Sequence, residues 1–315
     1  MRRLKVAVVG AGFWGRNQVR ILSEMDGAEL AGVCDVDEDR ARLVGEKYGV
    51  PWFVRLEELL RSADFEAATV CTPTVTHADV ARRLLAEGKH ALVEKPMTET
   101  VEEGEELVSL AERNGVFLSV GFVERFNPAV RYLKSLIESG RLGKVILIMA
   151  RRVARWPERI GDVGVTKDAA IHDIDVMRFL LGREASSVYA RAGSLRHKFE
   201  DYSEIMVSFD GGEVGFIDAN WLTPRKVRRL VVTGSEATAT VDYLTQEVTV
   251  EDSEATVKPR IRWEEPLRLE LESFVKSISA GRQPEPTGLD GLKALKICEA
   301  ALESSKLNKA VKLLS

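Results

Sequence analysis

Apolar positions along this chain change rhythm after about 120 residues. Before that point, short apolar runs at 4–9, 29–34, 67–71, 91–94 and 117–120 alternate with stretches of helical spacing. Ile21, Leu22 and Met25 fall on one helical face, as do Val80, Ala81, Leu84 and Leu85. Continuous apolar runs separated by amphipathic helices predict a parallel sheet covered on both faces. Beyond Gly121 the runs crowd together. A helix is predicted over 128–139, stopped by Gly140, and strands over 145–150, 188–192, 204–209, 213–219, 227–233, 237–241 and 247–250. Asp210-Gly211-Gly212 joins two of these strands as a hairpin turn. Strands in succession with tight turns predict a largely antiparallel sheet. One helix, 169–181, interrupts them and ends at Gly182. The last 50 residues return to helical spacing, with Leu267, Leu271, Phe274, Val275 and Ile278 on one face and a further helix over 289–302. The fold class is α/β, with domains expected at 1–121 and 122–315.

Composition narrows the classes. The chain has 315 residues, 45% hydrophobic and 30% charged, with a net charge of -4. That excludes disorder as the main state. The slight acidic excess argues against a dedicated nucleic-acid binder. Cys34, Cys71 and Cys298 are odd in number and widely spaced, so they form neither a disulfide framework nor a metal knuckle. No metal is expected. The run 4–9 is too short for a signal-peptide core, and no stretch of about 18 apolar residues exists. A reducing, cytoplasmic setting away from membranes is therefore expected.

Candidate chemistry lies at strand ends. Gly10-Ala11-Gly12-Phe13-Trp14-Gly15 follows the first strand and opens a helix, the arrangement that brings backbone N–H groups to a pyrophosphate. Asp35, twenty residues after Gly15, is placed to accept from the adenosine ribose hydroxyls, which favours NAD over NADP. The alternative for Asp35 is a helix N-cap, and Arg40 and Arg42 keep NADP as a minority option. Thr72, Pro73, Thr74 and His77 follow another strand and would line the nicotinamide side; a plain turn with a threonine cap reads equally well. Glu94-Lys95-Pro96 closes the next strand, with a surface ion pair as the alternative. Asp168 and His172 stand one turn apart at a helix start, and Asp175 one turn beyond His172.

With Gly121-Phe122, Arg125-Phe126-Asn127-Pro128 and Asp168…His172…Asp175 in this order, the chain resembles the Gfo/Idh/MocA family over essentially its whole length. The resemblance implies an N-terminal Rossmann domain and a C-terminal α/β domain. The open, mainly antiparallel sheet of that second domain would form a homodimer or homotetramer interface. It implies Lys95, Asp168 and His172 as catalytic residues, with hydride passing from a sugar carbinol to the nicotinamide. His172 would be the general base, aided by Asp168, and Lys95 would stabilise the alkoxide. Asp175 is expected to be a supporting acid.

Arg151, Arg152, Arg155 and Arg159 precede the histidine motif, and Arg225, Lys226, Arg228 and Arg229 follow Trp221. Arginine forks suit phosphates; solvated rim charge is the alternative. The expected substrate contacts are Lys95, Arg125, Asn127, Arg152, Arg155, Trp156, Asp168, His172 and Arg225. The stretch 151–175 looks like the UDP-N-acetylglucosamine 3-dehydrogenases within the family, implying a 3-keto nucleotide sugar as product. An inositol or aldose dehydrogenase, a non-catalytic sugar sensor and a bare scaffold are the competing readings. The charge-rich, Asn- and Gln-poor composition suits a protein from a hot environment; a melting midpoint well above about 65 °C would bear that out.

Overall fold

The computed structural model describes residues 2–156 and 162–313. The chain forms two compact units. One holds the residues up to Phe122 together with Leu267–Leu292, and the other holds Val123–Pro266 together with the chain from Lys293 on.

The first unit is built on six parallel strands: β1 (Leu4–Val9), β2 (Ala28–Cys34), β3 (Trp52–Phe53), β4 (Ala67–Val70), β5 (His90–Glu94) and β6 (Leu118–Gly121). Their order is β3-β2-β1-β4-β5-β6, the Rossmann arrangement. The apolar runs are continuous because both faces are covered: Val6, Ala7 and Val8 are fully buried, as are Ala67, Ala68 and Val70. The connecting helices are α1 (Phe13–Glu24), α2 (Glu38–Tyr48), α3 (Leu56–Ser62), α4 (His77–Ala86) and α5 (Val101–Asn114). Strand β3 escapes sequence reading because two residues carry no period; the pairs Val33↔Trp52 and Cys34↔Phe53 define it.

One expected boundary is corrected. Residues 267–292, assigned by sequence to the second domain, pack with the first. Ser119 Oγ donates to the Pro286 carbonyl (2.6 Å), and the Val120 N–H donates to the same oxygen (3.2 Å). Helical periodicity reveals an apolar face and not the surface it will meet, so this placement had no local signal.

The second unit opens with α6 (Pro128–Glu138) and β7 (Val145–Arg155). A single π-turn at Thr166–Ala170 then leads into α7 (Ile171–Leu181). Next come β8 (Ala185–Gly193), β9 (Tyr202–Phe209), β10 (Val214–Asn220), β11 (Leu222–Gly234), β12 (Thr238–Asp242), β13 (Glu247–Glu251) and β14 (Thr256–Val257). The chain ends with α8 (Pro266–Ser279), α9 (Gly288–Leu307) and β15 (Val311–Lys312). The nine strands lie in the order β14-β13-β12-β11-β7-β10-β9-β8-β15. Every named pair is antiparallel except β7 with β10. Asp210–Gly212 makes the expected hairpin, with Gly212 at φ 88°.

Pleating sorts this sheet into two faces. One buries Ile148, Ala150 and Arg152 of β7 on the side where α7 packs. The other carries an exposed apolar row, Val231–Met149–Phe216–Met206–Tyr189, in cross-strand register. Beside it runs a charged row, Arg229–Arg151–Asp218–Glu204–Arg191. Met149 is 50% exposed and Phe216 42%, in a groove of about 870 Å³.

Glu204 and Asp218 face each other directly. Burial, then the Asp218 charge and the hydrogen bond between them, pushes the Glu204 carboxyl up to about 7, against the pull of Arg151. A carboxyl raised in the folded state stabilises most below its unfolded value of 4.5, and that contribution is lost as pH climbs through 7. Glu204→Gln should therefore keep its melting temperature between pH 5 and 8 where the parent loses a few degrees. Identical pH slopes for the two proteins would refute the pairing.

Candidate active site

The dinucleotide end is built by close approach. Gly10 follows β1 at φ +94°, and its N–H donates to the Cys34 carbonyl (2.7 Å). A Cβ there would lie 2.6 Å from the Cys71 carbonyl carbon, and one on Gly15 would run into the Gly10 carbonyl. Gly12, by contrast, faces open space. Helix α1 has Gly12 as its N-cap, with no side-chain cap and no acid in its first turn, so the positive end of the helix carries no carboxylate of its own against an anion. The cradle fits a pyrophosphate. Phe13 is 59% exposed beside it, edge-on to Trp14.

Asp35 is buried at the end of β2. Its carboxylate accepts from the N–H of Ala11 (2.7 Å) and of Asp37 (2.9 Å). The N-cap of α2 is Asp37, which accepts from the Arg40 N–H (3.0 Å), so the capping alternative for Asp35 falls away. Arg40 pairs with Asp35 and Asp37, and Arg42 with Asp39. Both arginines thus have carboxylate partners, and the pocket edge suits ribose hydroxyls over a 2′-phosphate.

Thr72 and Pro73 follow β4, and Thr74–Thr76 form a 3₁₀ turn into α4. Thr76 Oγ1 returns to the Pro73 carbonyl and does not cap α4. His77 is 1% exposed, with Nδ1 2.9 Å from the Pro96 carbonyl and Nε2 2.8 Å from the Thr72 carbonyl. It is enclosed by the turns and presents no face to a ligand, so the expected direct cofactor contact at His77 is corrected. Glu94 accepts from Gln18 Nε2 (2.8 Å) at the end of β5. Lys95 is half-buried, and its peptide bond to Pro96 is cis.

In the second unit, Asp168 sits within the π-turn and His172 in the first turn of α7, both half-buried. Glu200 fixes the entry to the turn: its carbonyl accepts from the Val165 N–H (2.9 Å) and its carboxylate from the Thr166 N–H (3.2 Å). Behind α7 lies an ionic network. Arg152 donates to both oxygens of Asp173 (2.7 and 3.1 Å) and to Glu124 (3.0 Å). Tyr243 donates to Asp173 (3.0 Å), and Arg228 shares Glu124 (3.3 Å). Arg125 makes a two-pronged pair with Asp175 (2.7 and 2.6 Å). Burial alone would lower the Arg152 guanidinium, but the Asp173 and Glu124 charges outweigh it and hold it well above the usual arginine value. Burial and the Asp173 charge likewise push the Tyr243 hydroxyl up.

Three expected substrate contacts are corrected here. Arg125, Asn127 and Arg152 are 7%, 1% and 5% exposed. The first and last are spent on Asp175 and on Asp173 with Glu124. Asn127 caps α6 and donates to Glu124 and to the Tyr243 carbonyl. A sequence displays a charge and hides the opposite charge that faces it. For that reason Glu124, Asp173, Tyr243 and Arg228 went unnoticed as a group.

Trp156 is half-buried, its ring against His197 (centroids 3.7 Å) and edge-on to Trp221 (4.6 Å). Arg155 and Arg225 are exposed. Leu222 pairs with Arg155 and Val227 with Val153, so residues 223–226 bulge out opposite the single Ala154 and carry Arg225 clear of the ladder. Arg159 lies outside the described residues. Burial raises all three cysteine thiols, Cys34 to about 12, so none is poised as a thiolate.

Replacing Arg152 by leucine would leave two buried carboxylates facing each other. Arg152→Leu should lose about 3–5 kcal/mol of stability in denaturant unfolding. A loss below about 1 kcal/mol would show that the network is replaceable.

Residues 4–122 match the model of an oxidoreductase family described by its NAD-binding Rossmann fold, and residues 130–240 match the GFO/IDH/MocA C-terminal domain. The chain is 30% identical over 322 residues to an inositol 2-dehydrogenase of Rhizobium meliloti, covering 96% of each protein. It is 28% identical to a UDP-N-acetylglucosamine 3-dehydrogenase of Acidithiobacillus ferrooxidans, again over 96% of each. A crystal structure of a UDP-N-acetylglucosamine 3-dehydrogenase from that organism superposes with a TM-score of 0.89 at 26% identity, covering 98% of this chain and 99% of the other. With the glycine cradle, Asp35 and the two-sheet architecture in place, the chain belongs to the Gfo/Idh/MocA family and is an NAD-binding oxidoreductase.

Proposed function

We propose that the protein is an NAD-dependent sugar dehydrogenase that oxidises the 3-hydroxyl of a UDP-N-acetylglucosamine-type nucleotide sugar to a 3-keto sugar. The observation that carries the nucleotide part is the β11 bulge. It sets Arg225 out of the sheet at the end of the strand pair where Arg155 also stands exposed. A diphosphate accepts such guanidinium forks, and a neutral polyol has no use for them. A second reading, an inositol or free-aldose dehydrogenase with the same machinery, draws on the 30% identity to an inositol 2-dehydrogenase.

In this reading the glycine cradle and Asp35 hold the dinucleotide, with Thr72, Pro73 and Thr74 beside its nicotinamide end. Bound NAD supplies the hydride acceptor. His172 takes the hydroxyl proton as general base. Asp168, four residues earlier, orients the imidazole and stabilises its cationic form. The Lys95 ammonium donates to the alkoxide oxygen as its charge develops. The protein needs no metal for these steps.

The exposed sheet face supports a homodimer or homotetramer. Its charged row has arginines at both ends and acids between them, so a twofold axis passing between Arg151 and Asp218 would set Arg151 and Arg229 of one copy against Asp218 and Glu204 of the other. The apolar row beside it would be buried at the same time. Free thiols at all three cysteines fit a cytoplasmic setting. Among the described residues no helix is long and apolar enough to cross a membrane.

A thermal-shift panel of NAD, NADP, UDP, UDP-N-acetylglucosamine, its uronic acid and myo-inositol, followed by NADH absorbance, separates the readings. NAD and UDP should each raise the melting temperature, and the nucleotide sugar should yield NADH. Turnover of myo-inositol without any response to UDP would select the second reading. Lys95→Ala and His172→Ala should retain the NAD shift and lose about 100-fold or more in kcat; wild-type turnover in either would overturn the assignment.

A further inference from the structure

His77 stands out because both of its ring nitrogens meet acceptors. Nδ1 lies 2.9 Å from the Pro96 carbonyl oxygen, and Nε2 lies 2.8 Å from that of Thr72. A carbonyl oxygen can only accept. A neutral imidazole has one N–H, so in either tautomer its bare nitrogen would point a lone pair at an oxygen lone pair. At 1% exposure no water relieves that opposition. Only the imidazolium donates at both positions.

We propose that His77 is held as an imidazolium, and that this cation clips the turn after β4 to the Lys95-Pro96 turn after β5, making His77 a positioning residue for Lys95. Two effects oppose the charge, its burial and the positive end of α4, whose first residue is His77. Two short charge-assisted hydrogen bonds favour it. Asp79 in the first turn of α4 offsets the helix end. At the end of β5, Glu94 supplies negative charge and Lys95 positive. On the neighbouring α5, Glu102, Glu105 and Glu112 are exposed, Glu103 closes the capping box of its own helix, and Glu106 pairs with Arg82. Cys71, before Thr72, is kept a neutral thiol by burial.

The clip matters because the carbonyls it joins belong to different turns. One follows Cys71 at the end of β4, and the other follows the lysine assigned to the alkoxide. Without the second N–H, the Pro96 carbonyl or the Thr72 carbonyl loses its donor and the lysine turn is tied down at one end only.

The chain has four histidines, so magic-angle-spinning 15N spectra of sedimented, histidine-labelled protein can resolve His77. Its signals are assigned by their loss in His77→Gln. Should that variant fail to fold, they are assigned by elimination with His90→Gln, His197→Gln and His172→Ala. Both His77 nitrogens should be protonated at pH 7.5 and still at pH 9; a bare nitrogen at pH 7.5 would overturn the proposal. At saturating NAD, His77→Gln should lower kcat at least 10-fold with KM changed less than 3-fold. Wild-type kcat in a folded variant would overturn the positioning role. The role rests on Lys95 being catalytic, and the two failures are distinguishable. Full turnover by Lys95→Ala would remove the catalytic reading while leaving the nitrogen spectrum as it stands.

Discussion

The second unit is organised around a guanidinium that water does not reach. Arg152 lies near the middle of the long strand β7, between the buried Ala150 and Val153. An unpaired ion in such a place would cost several kcal/mol, a large share of the roughly 5–15 kcal/mol by which a whole domain is stable. The partners are therefore obligatory, and they come from two other elements. Asp173 reaches in from α7, the residue directly after His172, and Glu124 from the chain just before Arg125. Arg125 in turn takes Asp175. With Asp173 and Asp175 both bound to buried arginines, the rotation of α7 about its axis is settled. His172, directly before Asp173 and about 100° from it around the helix, is thereby held at a set angle to the Arg152 pair.

That logic explains what could be read in advance. The strands of the first unit were legible because burial on both faces leaves uninterrupted apolar runs, and because the turn after β1 admits only glycine at Gly10. Asp35 stands out by its distance to that turn, and the cap of α2 is Asp37, on the Arg40 N–H. The buried ionic residues were not legible. Arg125, Asn127 and Arg152 looked like ligand contacts because polar residues near a catalytic motif usually face a ligand, and the carboxylates opposing two of them lie 50 and 21 residues away. Placing 267–292 against β6 depended on a surface more than 140 residues distant, and the two-residue strand β15 is defined only by β8, more than 120 residues earlier.

The arginine clusters teach the same lesson through geometry. Arg151-Arg152 and Arg228-Arg229 read as two blocks of positive charge. In a pleated strand neighbours point to opposite faces, so each block is divided. Arg152 and Arg228 are cross-strand partners on the α7 side and share Glu124, while Arg151 and Arg229 are partners on the open face, where Arg151 holds Asp218. Four charges that are adjacent in sequence are thus divided between two faces of the sheet.

The π-turn at Thr166–Ala170 contains one more residue per turn than the helix it feeds. Deleting a single residue there would restore regular pitch and swing everything before it by about 100° relative to α7. Asp168 would then leave its present side of the helix while His172, pinned by its neighbours, stayed put. Relatives that gain or lose one residue at this point could re-aim the acid without altering any side chain, so reshaping of this site among them can proceed by length as readily as by substitution.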